Sequence, residues 1–523
     1  MTRLGVDFFT FGVPYFEACI SWIQKQILSA RQAPALTADS VMQQEKYPRQ
    51  EGTMQQGVTP RIMISATRKS SGKTLLSLGL AALLTRRGVA VQTFKKGPDF
   101  IDPKWLTAAT GRPCVNLDFY IMGGEKIHGL FQQAATGADV CLVEGNHGLF
   151  DGQDAEGKDC SAALAKWLET PVVLVVDCRN LARSIAPLVC GHLHFPGGDV
   201  IVGVILNNVA TSRQESRLRT VLERYCPTPI LGVLPRSDTM VIHERHLGLT
   251  PTEEGSELER TIARISDHVA HHIDPEIILK LARQVTPPGW RAPPPLPSPL
   301  APPMPGKTPP RQIRVGFAAD RAFHFYYPEN LQALRNQGVE LVPFNLLEET
   351  NLPEVDGLFI GGGFPEMFME TLAANQRMLT SLHKAATRGT PIYAECGGLM
   401  VLAETLRWGT QGVRMAGILP IDVVMEKRPQ GYGYMEIEGT GEVPWPPPGT
   451  TIRCHEFHYS HITRIGKGVR YAYRVRRGTG IDGQHDGLLH RNVLASYAHI
   501  HAIGAPSWAE FLAHFWRTGT PNR

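Results

Sequence analysis

Residues 61–88 read RIMISATRKSSGKTLLSLGLAALLTRRG: an apolar run, a loop of small and basic residues, then a run with helical patterning. Within it Ser70, Ser71, Gly72, Lys73 and Thr74 match the end of a phosphate-binding loop. Small residues let backbone N–H groups curl around phosphate oxygens, and the N-terminus of the following helix adds partial positive charge. Lys73 would neutralise the outer phosphates, and the Thr74 hydroxyl would ligate Mg²⁺. Thr67 stands where such loops usually have their first glycine. The strand–loop–amphipathic-helix context nevertheless predicts a nucleotide site built on a parallel sheet.

Further apolar runs follow: VAVQTFK, VCLVEG, VVLVVD and IVGVILNN. They are β-branched, strand-length and without polar alternation, which predicts strands covered on both faces by helices. Asp99 follows the second strand and Glu144 ends the third, VCLVEG. Acids at strand C-terminal ends, beside a phosphate loop, are candidates to complete a metal site with Thr74; the bland alternative is that each caps a turn.

A second series begins after residue 310 with IRVGFAAD, ELVPFN, GLFIGGG and PIYAEC. Residues 391–400 read PIYAECGGLM, where Cys396 ends a strand and two glycines open a helix. A sharp strand-to-helix turn exposes such a sulfur and puts a helix N-terminus beneath it, favouring the thiolate. The Gly397 N–H then serves an oxyanion hole, and the turn at Gly361–Gly363 supplies Gly362 and Gly363 as further donors. The base is open between two groups of histidines. His499 and His501 sit two apart in the strand-like stretch VLASYAHIHAIG, which puts them on one face, and His455, His458 and His461 lie in CHEFHYSHI.

Residues 287–310 contain PPGWRAPPPLPSPLAPPMPGKTPP, whose proline density predicts an extended, semi-rigid linker. The expected organisation is an N-terminal extension at 1–60, an α/β body at 61–286, the linker, and a second α/β body at 311–523. A chain of 523 residues needs more than one core. With 43% hydrophobic and 20% charged residues and a net charge of +4, it reads as a soluble enzyme and gives no case for nucleic acid. Nine scattered cysteines with no CxxC pair suggest neither a zinc ribbon nor a disulfide framework, and point to a reducing, cytoplasmic setting. No run is long and apolar enough to span a membrane.

The motifs SSGKT, FKKGPDFIDP, TGRPCVNLD, VEGNHGLFDG, GGGFPE, YAECGGLM, HEFHYS and LASYAHIH, in this order, resemble the cobyrinic acid a,c-diamide synthase family. The resemblance covers nearly all of residues 61–516 outside the linker. It implies a dethiobiotin-synthase-like ATP-binding domain followed by a class I glutamine amidotransferase domain. It also implies an ATP- and Mg²⁺-dependent ligase in cobalamin biosynthesis. Glutamine and a tetrapyrrole would be its substrates, a carboxylate would be activated as an acyl phosphate, and a homodimer is compatible. The resemblance assigns His499 as the partner of Cys396, and Phe100, Ile101 and Asp151 to the substrate. The chain departs from the corrin-making pattern: Phe100 replaces a tyrosine, Leu106 a histidine, and VEGNHGLFDG the usual VEGVMGLYDG. These changes resemble a subgroup that amidates sirohaem, which stands as the alternative substrate. A regulatory ATPase or a sensor that has lost its chemistry is the alternative from another class.

Overall fold

The computed structural model describes residues 59–237, 244–245, 248–249, 256–284 and 312–519. The expected extension, apart from its last two residues, and the proline-rich linker lie outside these residues. Arg61–Ala66 (β1), Val91–Lys96 (β2), Val115–Leu117 (β3), Val140–Glu144 (β4), Val172–Asp177 (β5), Ile201–Val209 (β6) and Ile230–Pro235 (β7) form one seven-stranded sheet. Its order is β3-β2-β4-β1-β5-β6-β7, and every pair is parallel. The loops after β1, β2 and β4 therefore emerge side by side at one edge of the sheet, which is where such sheets bind ligands. β3 and β7 escape the sequence reading; the first is only three residues long, too short for periodicity to register.

The helix after β1, Lys73–Arg86 (α1), is not amphipathic as expected. Lys73 and the nine residues Leu76–Leu84 are all buried. Helix Ser256–His272 covers its outer face, and a Cβ on Gly79 would overlap Val269 there. An all-round apolar helix is what a helix sandwiched between sheet and helix requires.

The second sheet is mixed, where the apolar runs suggested parallel strands alone. It comprises Ile313–Ala318 (β8), Val339–Phe344 (β9), Gly357–Ile360 (β10), Ile392–Glu395 (β11), Gly431–Gly439 (β12), Thr451–His458 (β13), Arg470–Arg477 (β14), His485–His490 (β15) and Val493–Ser496 (β16). The order is β9-β8-β10-β11-β16-β15-β14-β12-β13. The first five strands are parallel and the remainder antiparallel. Strands β12–β14 carry polar and charged residues on alternate positions, so they lack the continuous apolar signature of a doubly covered strand. Residues 405–465 add a separate four-stranded sheet.

The described residues of the two α/β bodies pack into one compact unit. Their contact is aromatic and polar. Tyr120 stacks on Tyr434 at 4.5 Å and donates to Glu436 at 2.9 Å, and the Tyr434 hydroxyl donates to buried Asp118. Arg453 and Arg477 both lie over the Tyr120 ring, at 5.1 and 5.2 Å. Among the described residues no helix is long and apolar enough to cross a membrane.

Close packing beside Cys396 gives a direct test of the fold. A Cβ on Gly398, in the helix Gly397–Leu402 (α2), would overlap the carbonyl oxygen of Ile360 at the end of β10. Backbone cannot yield as a side chain does, so Gly398→Ala is expected to lower stability by about 1–3 kcal/mol. The check is the urea unfolding midpoint; an unchanged midpoint would mean that β10 and α2 are less tightly apposed than described.

Candidate functional site

The loop after β1 builds the first half of the site. Ser70 and Gly72 both take left-handed backbone conformations, with φ of 58° and 98°, and Gly72 caps α1. Such a curl turns successive N–H groups inward. The Asn207 side chain clamps the loop by donating to the Ser71 carbonyl at 2.8 Å, and Ser71 donates to the Arg68 carbonyl at 2.9 Å. Lys73 reaches across to the His147 carbonyl at 2.5 Å. Burial, and then the neighbouring Lys95, bring the Lys73 ammonium down to about 8.

Below Thr74 lies a buried charge cluster that the sequence reading did not single out. Lys95 is enclosed by Glu144 at 2.8 Å and by Asp102, with Asp99 at 3.9 Å. Burial works against the Lys95 charge, but Asp102 and Glu144 outweigh it and raise its pKa well above the ordinary value. Thr74 donates to Glu144 Oε1 at 2.7 Å and approaches Asp102 at 3.4 Å.

Asp99, expected as a metal ligand, is mainly a turn cap. Its Oδ1 accepts from the Ile101 and Asp102 N–H groups at 2.8 and 3.1 Å. Asp102, which the sequence reading did not single out, lies 3.4 Å from the Thr74 hydroxyl. Glu144 Oε2 is buried with no hydrogen-bond partner. An unpaired carboxylate oxygen beside a threonine hydroxyl and a second carboxylate is a hard-oxygen set that suits Mg²⁺.

The second half is built on β11 and α2. Cys396 joins them with φ 48° and ψ −100°, a conformation costly for any residue with a side chain. The turn aims the sulfur out of the sheet, and the Gly397 N–H hydrogen-bonds toward it. The thiol also donates to the Phe457 carbonyl at 3.8 Å. The helix terminus is expected to favour the thiolate, and the surroundings of the sulfur work the other way. Burial foremost, then Glu366, with Glu395 and Asp486 adding to it, pushes the thiol above its ordinary range, outweighing a helix terminus only six residues long.

Gly362 and Gly363 flank this turn. A Cβ on Gly397 would come within 3.1 Å of the Gly363 nitrogen, so the two backbones approach closely enough for both N–H groups to serve one oxyanion. Gly362 has a different role. Its missing side chain makes room for the His499 ring, whose Cε1 would lie 2.7 Å from an added Cβ.

Strand β16 ends at Ser496, so His499 and His501 are not on a strand and strand periodicity does not govern them. His499 is buried with Nδ1 3.3 Å from Glu395 Oε2. A carboxylate only accepts, so Nδ1 carries the hydrogen and Nε2 remains available to take a proton. Tyr393 donates to the other Glu395 oxygen at 2.8 Å, fixing the carboxylate. His455 stacks against His499 at 5.0 Å and is anchored by the Tyr327 hydroxyl at 3.3 Å; burial holds its pKa well down. His501 pairs separately with Glu329 at 3.5 Å. His458 meets Glu456 at 3.4 Å and stacks on Tyr497 at 3.7 Å, while His461 lies 3.8 Å from Glu426. Each histidine of that motif thus has its own neighbour, and among the described residues no group of three His, Cys, Asp or Glu is arranged around a metal position.

One cavity of about 1050 Å³ joins the halves; Lys73, Thr74, Asp99, Phe100, Asp151, His455 and His499 all line it. Residues 62–247 match the model of a CobQ/CobB/MinD/ParA nucleotide binding domain, and residues 314–506 that of a CobB/CobQ-like glutamine amidotransferase domain. A cobyrinate a,c-diamide synthase of Magnetococcus marinus is 58% identical over 88% of this chain and 97% of its own length. Those of Methanosarcina acetivorans and Archaeoglobus fulgidus are each 38% identical, over 87% and 86% of this chain and 95% and 96% of their own lengths. The chain belongs to the cobyrinate a,c-diamide synthase family.

Within this family member the sequence-predicted residues divide clearly. Ser70, Gly72, Lys73, Thr74, Asp99, Phe100 and His499 line the shared cavity. Glu144 and Cys396 do not line it but bond to the lining residues Thr74 and Phe457. Asp151, which accepts from the Gly148 N–H at 2.8 Å, also faces it, as does Ile101. Leu106 does not: it is fully buried in the core against α1, so its departure from the family pattern cannot touch a substrate in the cavity. Lys95, Asp102 and Glu395 were missed. Glu395 had a signal in common with Glu144, an acid closing an otherwise apolar buried strand.

The upward-shifted thiol has a measurable consequence. The rate of Cys396 alkylation by iodoacetamide, without glutamine, is expected to keep climbing with pH past about 9, because reaction needs the thiolate. A rate that levels off near neutral pH would show that the resting sulfur is already ionised.

Proposed function

We propose that this chain converts carboxylates of cobyrinate into carboxamides, using ATP for activation and glutamine as the nitrogen source. One observation carries the reading furthest: the phosphate loop and His499 line the same cavity, and the Cys396 thiol donates to the carbonyl of Phe457, another of its lining residues. A nucleotide-activated carboxylate and newly released ammonia can therefore meet within one cavity.

The chemistry follows from the side chains in place. His499 Nε2 accepts the Cys396 proton as sulfur attacks the glutamine amide carbon, and Glu395 stabilises the imidazolium and holds the ring. The Gly397 and Gly363 N–H groups are positioned for the oxyanion that forms. The proton on His499 then passes to the departing nitrogen, ammonia leaves, and water releases glutamate from the thioester. In the other half, Lys73 and the Ser70–Gly72 loop would bind the ATP phosphates. The oxygens of Thr74, Asp102 and Glu144 would hold Mg²⁺, which when bound supplies charge neutralisation for phosphoryl transfer. The γ-phosphoryl group goes to a substrate carboxylate, and ammonia displaces phosphate from the resulting acyl phosphate.

The test is mass spectrometry of products after incubation with ATP, Mg²⁺, glutamine and either cobyrinate or sirohaem. Each conversion replaces OH by NH₂, and the mass falls by that difference. Two such steps on cobyrinate alone are expected; a shift confined to sirohaem would overturn the substrate. Cys396→Ser is expected to cut glutamine-driven amide formation by about a hundredfold or more. Ammonium chloride, which bypasses the sulfur, should still drive the reaction in that variant. Equal loss with both nitrogen donors would count against Cys396 as the nucleophile.

A further inference from the structure

The turn between β2 and the helix Asp102–Thr110 is held on both sides of Phe100 by the phosphate-site cluster. Before it, Asp99 approaches Lys95 and caps the turn; after it, Asp102 pairs with Lys95 and approaches Thr74. The Phe100 ring itself leaves this cluster for the other α/β body. It stacks on Phe325 at 5.0 Å with planes 9° apart, and lies 4.5 Å from Tyr327. It is also 5.5 Å from His455 and 5.1 Å from His499.

These contacts make Phe100 one wall of the box that holds the His499 imidazole. The adjoining supports are the stacked His455 ring and the Glu395 carboxylate. The Gly362 backbone closes the box beside Phe325: an added Cβ there would lie 2.7 Å from His499 and 3.2 Å from Phe325. A ring that served only to fill the interface would be sealed in the core, but Phe100 is partly exposed and lines the shared cavity. It is thus a side chain whose backbone is tied to the Thr74–Glu144–Asp102 cluster and whose ring packs against the His499 imidazole.

We propose that Phe100 is a positioning residue that couples the two sites: occupancy of the phosphate loop resets the 99–102 turn, and the turn resets the His499 ring through Phe100. The inference rests on the amidotransferase reading. Its physical basis is that Lys95 now holds Asp102 and Glu144 together. A nucleotide with its cation competes for the same carboxylates, so the turn must re-pair when the loop fills. Aromatic contacts at 4.5–5.5 Å then carry the shift, because a packed ring cannot move without moving its neighbours.

The experiment follows labelling of Cys396 in the full-length chain by 6-diazo-5-oxonorleucine, a glutamine analogue that alkylates such cysteines, with and without MgATP. Peptide mass spectrometry reads the rate, and no tetrapyrrole is needed. For the wild type MgATP is expected to change the rate by about fivefold or more. Phe100→Ala should label at one rate irrespective of MgATP, and Phe100→Tyr should recover the response because it keeps the ring. Phe100→Leu, which keeps apolar volume without the ring, is read in place of alanine if the smaller side chain loses the fold on thermal melting. A wild-type rate indifferent to MgATP, or an alanine or leucine variant with the wild-type response, overturns the coupling. Absence of label at Cys396 in the wild type overturns the amidotransferase reading, and this inference with it.

Discussion

The Lys95 ammonium is the constraint from which the phosphate site is organised. Burying an unpaired ammonium costs several kcal/mol, so the chain must deliver carboxylates to it from separate elements. Glu144 comes from the end of β4, and Asp102 from the start of the helix after β2. β2 and β4 are adjacent parallel strands, with Lys95 directly opposite Glu144 in register. The pairing therefore locks strand register as well as charge. Removing one partner would leave the others buried without compensation, so the cluster behaves as a unit. Thr74 joins it through Glu144, which fixes the start of α1 and hence the mouth of the phosphate loop.

The second body solves a comparable problem with backbone instead of charge. A nucleophile must leave the sheet sharply, and the positive φ of Cys396 is tolerated because the surrounding backbones crowd it into place. Gly398 packs against the Ile360 carbonyl, and Gly397 against Pro365 and the Gly363 nitrogen. Glycine is needed at these positions for close approach. The same tightness buries the sulfur and raises its pKa, so reactivity depends on a base. The proposed base, His499, is held by Glu395, one residue before Cys396 and itself fixed by Tyr393. A single short strand thus sets the sulfur, the carboxylate that orients the imidazole, and the hydroxyl that orients the carboxylate.

Much of this was legible before the structure. The phosphate loop and the Cys396 turn are local: strand, glycines and helix follow one another within ten or fifteen residues, and their patterns survive in one dimension. The parallel strands were legible because burial on both faces leaves continuous β-branched runs. What stayed hidden was non-local. Lys95 and Asp102 sit within a quoted motif, yet only the folded chain brings Asp102 to Thr74 and, through the β2–β4 register, Lys95 to Glu144. The antiparallel strands from 431 to 490 were missed because alternating polar residues look like loop in a chain rich in glycine and proline. His499 was found by resemblance, and strand spacing would have misplaced it, since β16 ends three residues earlier.

The two bodies gain more from contact than shared burial. On the proposed amidation, ammonia must reach an activated carboxylate before water does, and a neutral molecule that small leaks through any open seam. Tyr120, Tyr434 and Asp118 close the seam beside the cavity with a stacked pair and a hydroxyl–carboxylate bond, and Arg453 and Arg477 cover the outer ring. Aromatic and arginine side chains suit this task because they seal with large, flat surfaces while leaving their polar atoms paired. Neither body contains a complete site for the reaction. The nucleotide half lacks a nitrogen source and the amidotransferase half lacks an electrophile, so the proposed reaction depends on the interface as directly as on Lys73 or Cys396.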